Sequence, residues 1–153
     1  MRPRRSAFTL IELVWAMTII AIMSGIVLPK LNDLTRRAKA TRIVADFDAV
    51  RLAVLQYNAD SLSYPPEVGA GVAPSGLSAY LGSTFKWVKP DYTLDYDNWV
   101  LPNGLPRHPN THILIGISVK TTDPKLGQMA MALVGNQPKF TVGSKYTFVI
   151  VGM

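Results

Sequence analysis

Residues 4–29 read RRSAFTLIELVWAMTIIAIMSGIVLP. A short basic start runs directly into a long apolar stretch. From Phe8 to Leu28 there are 21 residues, and Glu12 is the only charged one. As a helix they would extend ~31 Å at 1.5 Å per residue, close to the ~30 Å of bilayer hydrocarbon. A secretory signal has a shorter apolar region, ~7–15 residues, followed by an A-x-A-like cleavage site. Here Ser24-Gly25-Ile26 leads instead into Val27-Leu28-Pro29. The plainest reading is an uncleaved membrane anchor. Its orientation stays open on charge alone, because Arg2, Arg4 and Arg5 precede the span and Lys30, Arg36, Arg37, Lys39 and Arg42 follow it.

Glu12 is what a simple anchor leaves unexplained. A charge at the centre of a membrane helix costs roughly 2.5–3.5 kcal/mol on insertion scales, less near an end, and such residues are usually partnered. No Lys, Arg or His lies between Phe8 and Leu28. A partner is expected from a neighbouring subunit or from an amine created by cleavage.

A short basic leader, a small residue, then Phe8-Thr9-Leu10-Ile11-Glu12-Leu13 and an apolar helix together resemble the class III signal of type IV pilins and type II secretion pseudopilins. The resemblance implies a prepilin peptidase that cuts before the apolar run, N-methylation of the new terminus, and a glutamate that helps join subunits into a filament. On this sequence the cut falls between Ala7 and Phe8. Phe8 becomes the methylated terminus, and Glu12 with Phe8 forms the assembly site. Gly25 and Pro29 match positions where pilin helices loosen or kink. The family's usual residue before the cut is glycine. Ala7 is the next smallest side chain, so processing is expected, with its rate left open. The implied partners are identical or homologous pilin subunits, the prepilin peptidase, an inner-membrane assembly platform with its ATPase, and the inner membrane before assembly. The single-pass helix would leave the globular part in the periplasm or outside. The implied domains are a leader at 1–7, a transmembrane and filament-core helix at 8–29, its amphipathic continuation at 30–60 and a globular domain at 61–153.

Pro29 removes an amide donor and should kink a helix, yet the helical pattern continues beyond it. Ile43, Phe47, Val50, Val54 and Tyr57 step by 4, 3, 4 and 3, an apolar stripe on one face. Asn58-Ala59-Asp60-Ser61 and then Tyr64-Pro65-Pro66 end the run. The basic cluster Arg36, Arg37, Lys39 and Arg42 has two readings. It is a solvated face attracted to lipid headgroups, or it pairs with Asp33, Asp46 or Asp48 of neighbouring subunits.

The remainder reads as an α+β domain. Ser75 is a candidate N-cap for a short helix carrying Leu77, Tyr80 and Leu81, with Gly82 at its stop. Phe85-Lys86-Trp87-Val88 reads as a strand. Tyr92 to Asp97 alternates, with Tyr92, Leu94 and Tyr96 on one face and Thr93, Asp95 and Asp97 on the other, and Trp99-Val100-Leu101 extends it. Pro102-Asn103-Gly104 is a turn, and HILIGISVK (112–120) is a strong strand. Asp123 caps a second helix with Pro124 at its first position, Leu126, Met129, Ala130 and Leu133 on its buried side and Gly135 at its end. KYTFVIVG (145–152) closes the pattern as a strand with Tyr146, Phe148 and Ile150 opposite Thr147, Val149 and Val151. A long helix on a small antiparallel sheet is an α+β solution, and it agrees with the pilin-like fold that the resemblance implies.

Composition narrows the function classes. The chain has 153 residues, net charge +6 and no cysteine, so no disulfide or thiolate metal site is available. Of 16 basic residues three lie in the first five positions, leaving 13 against 10 acidic ones. That excess lacks the dense basic face of a nucleic-acid binder. His108 and His112 have metal-ligand spacing, but Pro106 and Pro109 oppose a helix there. Asp95, Asp97 and Asn98 offer oxygens to calcium, although they lie mid-chain on a strand, away from the C-terminal calcium loop of some pseudopilins. No P-loop or G-x-S-x-G motif is present, so neither a cofactor nor an enzyme is expected. Two hypotheses stand. One is a filament subunit, with Glu12 leaning away from the tip pseudopilin and the missing cysteines away from disulfide-closed pilins. The other is a non-polymerising membrane-anchored binding domain or enzyme with an uncleaved anchor.

Overall fold

The structure is a computed structural model that describes residues 8–103, 110 and 112–152. The chain divides into two compact units, Met1–Arg36 and Arg37–Met153. One helix, α1 (Leu10–Ser61, 52 residues), begins in the first unit and ends in the second.

From Leu13 to Leu28, within the first unit, α1 carries no charged residue and is apolar all round. An 18-residue window reaches a mean hydropathy of 2.2, and none of it is buried. The helix is therefore long and apolar enough to cross a membrane once. Its hydroxyls bond inward: Thr18 Oγ1 donates to the Val14 carbonyl at 2.8 Å and Thr35 Oγ1 to the Leu31 carbonyl at 2.9 Å. That is how polar side chains are satisfied where water is scarce. The helix continues through Pro29. Proline has no amide hydrogen, so the Gly25 carbonyl, four residues back, loses its helical donor. Gly25 and Pro29 are thus two sides of one missing hydrogen bond.

In the second unit α1 turns amphipathic, and the predicted stripe is the buried one. Ile43, Phe47, Val50 and Val54 are fully buried, Tyr57 half so. Ala40 and Ala53 join them, small enough to let the helix approach the sheet. The sheet has four antiparallel strands in the order β1-β2-β4-β3: β1 (Thr93–Val100), β2 (Ile113–Lys120), β3 (Lys139–Val142) and β4 (Lys145–Gly152). Register puts Leu94 opposite Val119, Tyr96 opposite Ile117, and Ile117 opposite Phe148. These side chains form the core face against α1, where the Phe47 and Phe148 rings sit 5.3 Å apart. Helix α2 (Pro124–Leu133) covers the same face beside α1: a Cβ on Gly127 would lie 2.1 Å from the Tyr146 ring, so only glycine allows this approach.

The other face carries Asp95, Asp97 and Trp99 from β1, Leu114, Gly116, Ser118 and Lys120 from β2, Lys145 and Thr147 from β4, and Phe140 and Val142 from β3. A register shift between Ile115 and Gly116 ends the simple alternation of β4, setting Val149 opposite Gly116 and Val151 opposite Ile115. Ile150 still packs half-buried against the core with Tyr146 and Phe148, and at the bulge Val151 joins it.

Several expectations are corrected. Phe85 to Val88 is not a strand: apart from one bridge between Val88 and Thr93 it is turn and loop. Pro90 stops a ladder there, and the bonds from Lys89 N to Tyr92 O and from Leu94 N to Trp87 O close a tight turn, with Trp87 buried. Ser75 is not a cap. The short element is a 3₁₀ turn, Leu77–Ala79, preceded by Gly76 at φ 82°. A Cβ at Gly76 would sit 2.7 Å from the Tyr57 ring. In α2 the cap is as expected, Asp123 Oδ1 accepting from Lys125 N at 3.0 Å and Leu126 N at 3.3 Å. Leu126 and Ala130 are buried, but Leu133 is 39% exposed. Strand β3 was not expected. Its signal is the two-residue Gly143-Ser144 hairpin, with Gly143 at φ 60°.

The end of α1 carries one strained residue. Leu62 adopts φ 53°, and it is 90% exposed. The left-handed conformation costs roughly 1–2 kcal/mol for an L-residue and is usually given to glycine or asparagine after a helix.

Candidate functional site

The front of α1 is built around Thr9 and Glu12. The Thr9 carbonyl accepts the first helical bond, from Leu13 N at 3.2 Å. Glu12 N donates to Thr9 Oγ1 at 3.3 Å. In return Glu12 Oε2 accepts from Thr9 N at 2.9 Å and from Thr9 Oγ1 at 2.8 Å. This reciprocal pair is a capping box: it satisfies two of the four backbone donors left open at a helix start, and places a negative group at the positive end of the helix dipole. Glu12 therefore has an uncharged hydrogen-bond partner within its own chain. The spacing Thr-x-x-Glu ahead of an apolar run is the sequence signal for it.

Phe8 precedes the cap and is 86% exposed, Leu10 81%. Ala7, the residue before the expected cut, lies outside the described residues. Gly25 and Pro29 share the helix turn whose backbone bond is missing. The described N-terminus thus presents one carboxylate, held but solvent-accessible, at the head of an uncovered apolar rod.

The basic cluster is partly spoken for. Arg36 reaches Asp33 at 3.3 Å, and Lys39 reaches Asp91 at 2.6 Å. Asp46 accepts from Lys89 Nζ at 2.6 Å and from the Tyr92 hydroxyl. Both partners of that pair are nearly buried, so Asp46 is a tie between α1 and the loop before β1. Burial and the Asp46 bond push the Tyr92 phenol well above its ordinary range.

The calcium candidates do not converge. Asp95 Oδ2 is held by Lys145 at 2.8 Å and Lys120 at 3.3 Å. Asp97 accepts from Ser118 Oγ, which also bonds Thr147 Oγ1 at 2.7 Å. Asn98 points to the opposite face, where its Nδ2 donates to the Pro65 carbonyl at 2.9 Å and its backbone amide donates to Glu67. Lysines stand where an ion would need open oxygens. Burial raises the Asp97 carboxyl above the usual carboxylate range, against the lowering pull of the Ser118 hydrogen bond. The hydrogen bond to Asp95 raises the Lys145 ammonium, against the lowering effect of burial. His108 lies outside the described residues, and His112 Nδ1 lies 3.2 Å from the Leu101 carbonyl. Among the described residues no group of three or more His, Cys, Asp or Glu side chains is arranged to hold a metal.

Residues 2–28 match the family described as the prokaryotic N-terminal methylation motif. The chain carries that motif at its start, and its long helix on a four-stranded antiparallel sheet is an α+β, pilin-like layout. Over 64 residues it is 33% identical to type II secretion system core protein G of Pseudomonas aeruginosa, a pseudopilin, covering 42% of this chain and 45% of that protein. The chain thus matches about half the length of that relative. No solved structure matches it.

Proposed function

We propose that this chain is a structural subunit of a type II secretion pseudopilus or a type IV pilus, cut after Ala7, N-methylated on Phe8 and assembled through its N-terminal helix. The observation that carries this reading is the Thr9–Glu12 box at the head of an apolar helix that nothing buries. In the membrane, the box shields part of the carboxylate with two hydrogen bonds and so reduces the cost of holding it there. A cut before Phe8 creates an α-amine, reference pKa ~8, one residue from the cap. That cation is the natural counter-charge for Glu12, either in the same chain or in a subunit already in the filament. An ionic pair out of water is costly when unmatched and strongly orienting when matched, so it sets the register between successive helices. The apolar faces of α1, 46–86% exposed at every large hydrophobic residue from Phe8 to Leu34, then bury against one another. Head-to-tail contacts of this kind do not close, and they generate a helical filament. The Gly25–Pro29 lesion gives the helix a place to loosen as it leaves lipid.

Mass spectrometry of the membrane-extracted protein tests the processing directly. The expected mass lacks Met1 to Ala7 and carries one methyl group on Phe8. A chain retaining Met1 would sink the reading in favour of a simple anchor.

A further inference from the structure

The turn after α1 offers an apolar tip beside Asp60, whose Oδ2 accepts from the Tyr80 hydroxyl, and the outer face of the sheet offers an apolar cleft with lysine donors at one end. Leu62 is 90% exposed and held at φ 53°, with Asp60 two residues before it. The turn is not loose: Leu62 N donates to the Asn58 carbonyl at 2.9 Å, and Ser61 Oγ bonds the Tyr57 and Ser63 carbonyls at 2.6 and 3.2 Å. A strained backbone therefore displays an apolar tip to solvent, where a leucine gains nothing.

On the sheet face turned away from α1 there is a cleft of about 630 Å³. Its apolar wall is Trp99, Leu101, Leu114, Phe140 and Val142, with the Trp99 and Phe140 rings 5.8 Å apart. Gly116 lies beneath the indole, since a Cβ there would come within 3.4 Å of it. Lys120 and Lys145 close one end. Their side chains are 40% and 35% exposed, whereas the Asp95 and Asp97 side chains that face them are 5% and 4% exposed. The cleft is thus apolar along its length and at one end presents lysine ammonium groups that bridge the buried Asp95 beneath them.

We infer that this cleft receives the Asp60–Ser63 turn of a second copy of the chain, Leu62 entering the apolar wall and Asp60 meeting Lys120 and Lys145. Tip and cleft lie on different surfaces of the same unit, so one copy uses both with two different neighbours. The contact is heterologous and propagates, as a filament requires. It adds a contact between globular domains to the N-terminal helix packing, and it rests on the filament reading above.

The chain has no cysteine, which makes a pair of introduced ones decisive. Leu62→Cys and Val142→Cys are both surface changes, Val142 being 62% exposed. The full-length double variant, joined by a short bismaleimide in intact cells, is expected to give a ladder of dimers, trimers and higher species. Either single variant is expected to stay monomeric. Asp60→Lys in the double variant should lower the ladder several-fold. A double variant that stays monomeric overturns the contact. So does a Leu62→Cys single variant that dimerises equally well, or a Val142→Cys cysteine joined to a different protein or peptide. Filament yield of the parent chain, measured by shearing the same cells, is a separate readout. Filaments without a ladder refute this contact alone, and a ladder without filaments supports the contact while refuting the filament reading.

Discussion

At the scale of single residues, Glu12 carries two separable roles. It accepts two hydrogen bonds from Thr9, and it offers a negative charge. Glutamine keeps an acceptor oxygen for the cap and loses the charge, while alanine loses both. Thr9→Val removes the hydroxyl and leaves the carboxylate with one backbone donor. Losing an N-cap side chain typically costs a helix ~1 kcal/mol. If the charge sets the register, Glu12→Ala and Glu12→Gln should both depress sheared-filament yield by tenfold or more, with Thr9→Val intermediate and Thr9→Ser restoring wild-type yield. A Glu12→Gln chain assembling as well as wild type would show that capping suffices and that no ionic partner is needed. The sequence made this residue conspicuous through its unmatched charge. The Thr9 hydroxyl and amide that bond it, three residues away, carry no charge and so do not show in the charge pattern.

Among the elements, legibility followed the strength of the local pattern. The α1 stripe, strand β2 and the Asp123–Pro124 helix start were readable because periodicity and capping chemistry act over a few residues. Strand β3 was not, since four residues hardly establish a period, and only the Gly143-Ser144 turn betrays it. Phe85 to Val88 has strand-like composition, but a buried Trp87 and the turn at Pro90 decide otherwise. The polar face of β1 was legible as a face, but the lysines that neutralise it were not, because they lie 25 or more residues away in sequence. That face sets a pH dependence. The Asp97 carboxyl is raised by burial, so the native state holds its proton more tightly than the unfolded chain does. Its contribution therefore favours folding at low pH and is lost as pH rises from about 4, the unfolded value, through the higher native one. Asp97→Asn keeps an acceptor for Ser118 and removes this proton linkage. Lys145, 3.9 Å from Asp97, keeps its closer partner Asp95 at 2.8 Å. Urea midpoints measured from pH 4 to 7 should vary less with pH in Asp97→Asn than in wild type, and stability at pH 7 should equal or exceed wild type by up to about 1 kcal/mol. A loss above ~2 kcal/mol at pH 7 would mean that the ionised carboxylate is a net stabiliser.

For the whole molecule, hydropathy changes at Pro29, whereas the packing boundary falls between Arg36 and Arg37. The two units are held by different physics. The second has a buried core that joins α1 to the sheet, including Phe47, Tyr96, Ile117 and Phe148, all at 0% exposure. The first has no buried side chain in its apolar window, and apart from the Gly25 carbonyl its backbone bonds are satisfied within the helix, an arrangement stable in hydrocarbon without partners. Urea acts on the first kind of stability by solvating apolar and peptide groups that unfolding exposes, and it has little to act on in a helix surrounded by detergent chains. Full-length protein in micelles should therefore lose its near-ultraviolet dichroism, reported by buried Trp87 and Tyr96, in one cooperative step. Far-ultraviolet helical signal should fall only in part at that step, because α1 up to Arg36 remains folded. Complete loss of both signals in a single transition would show that α1 is one cooperative element from Leu10 to Ser61, and that the membrane half cannot change its packing without disturbing the globular half.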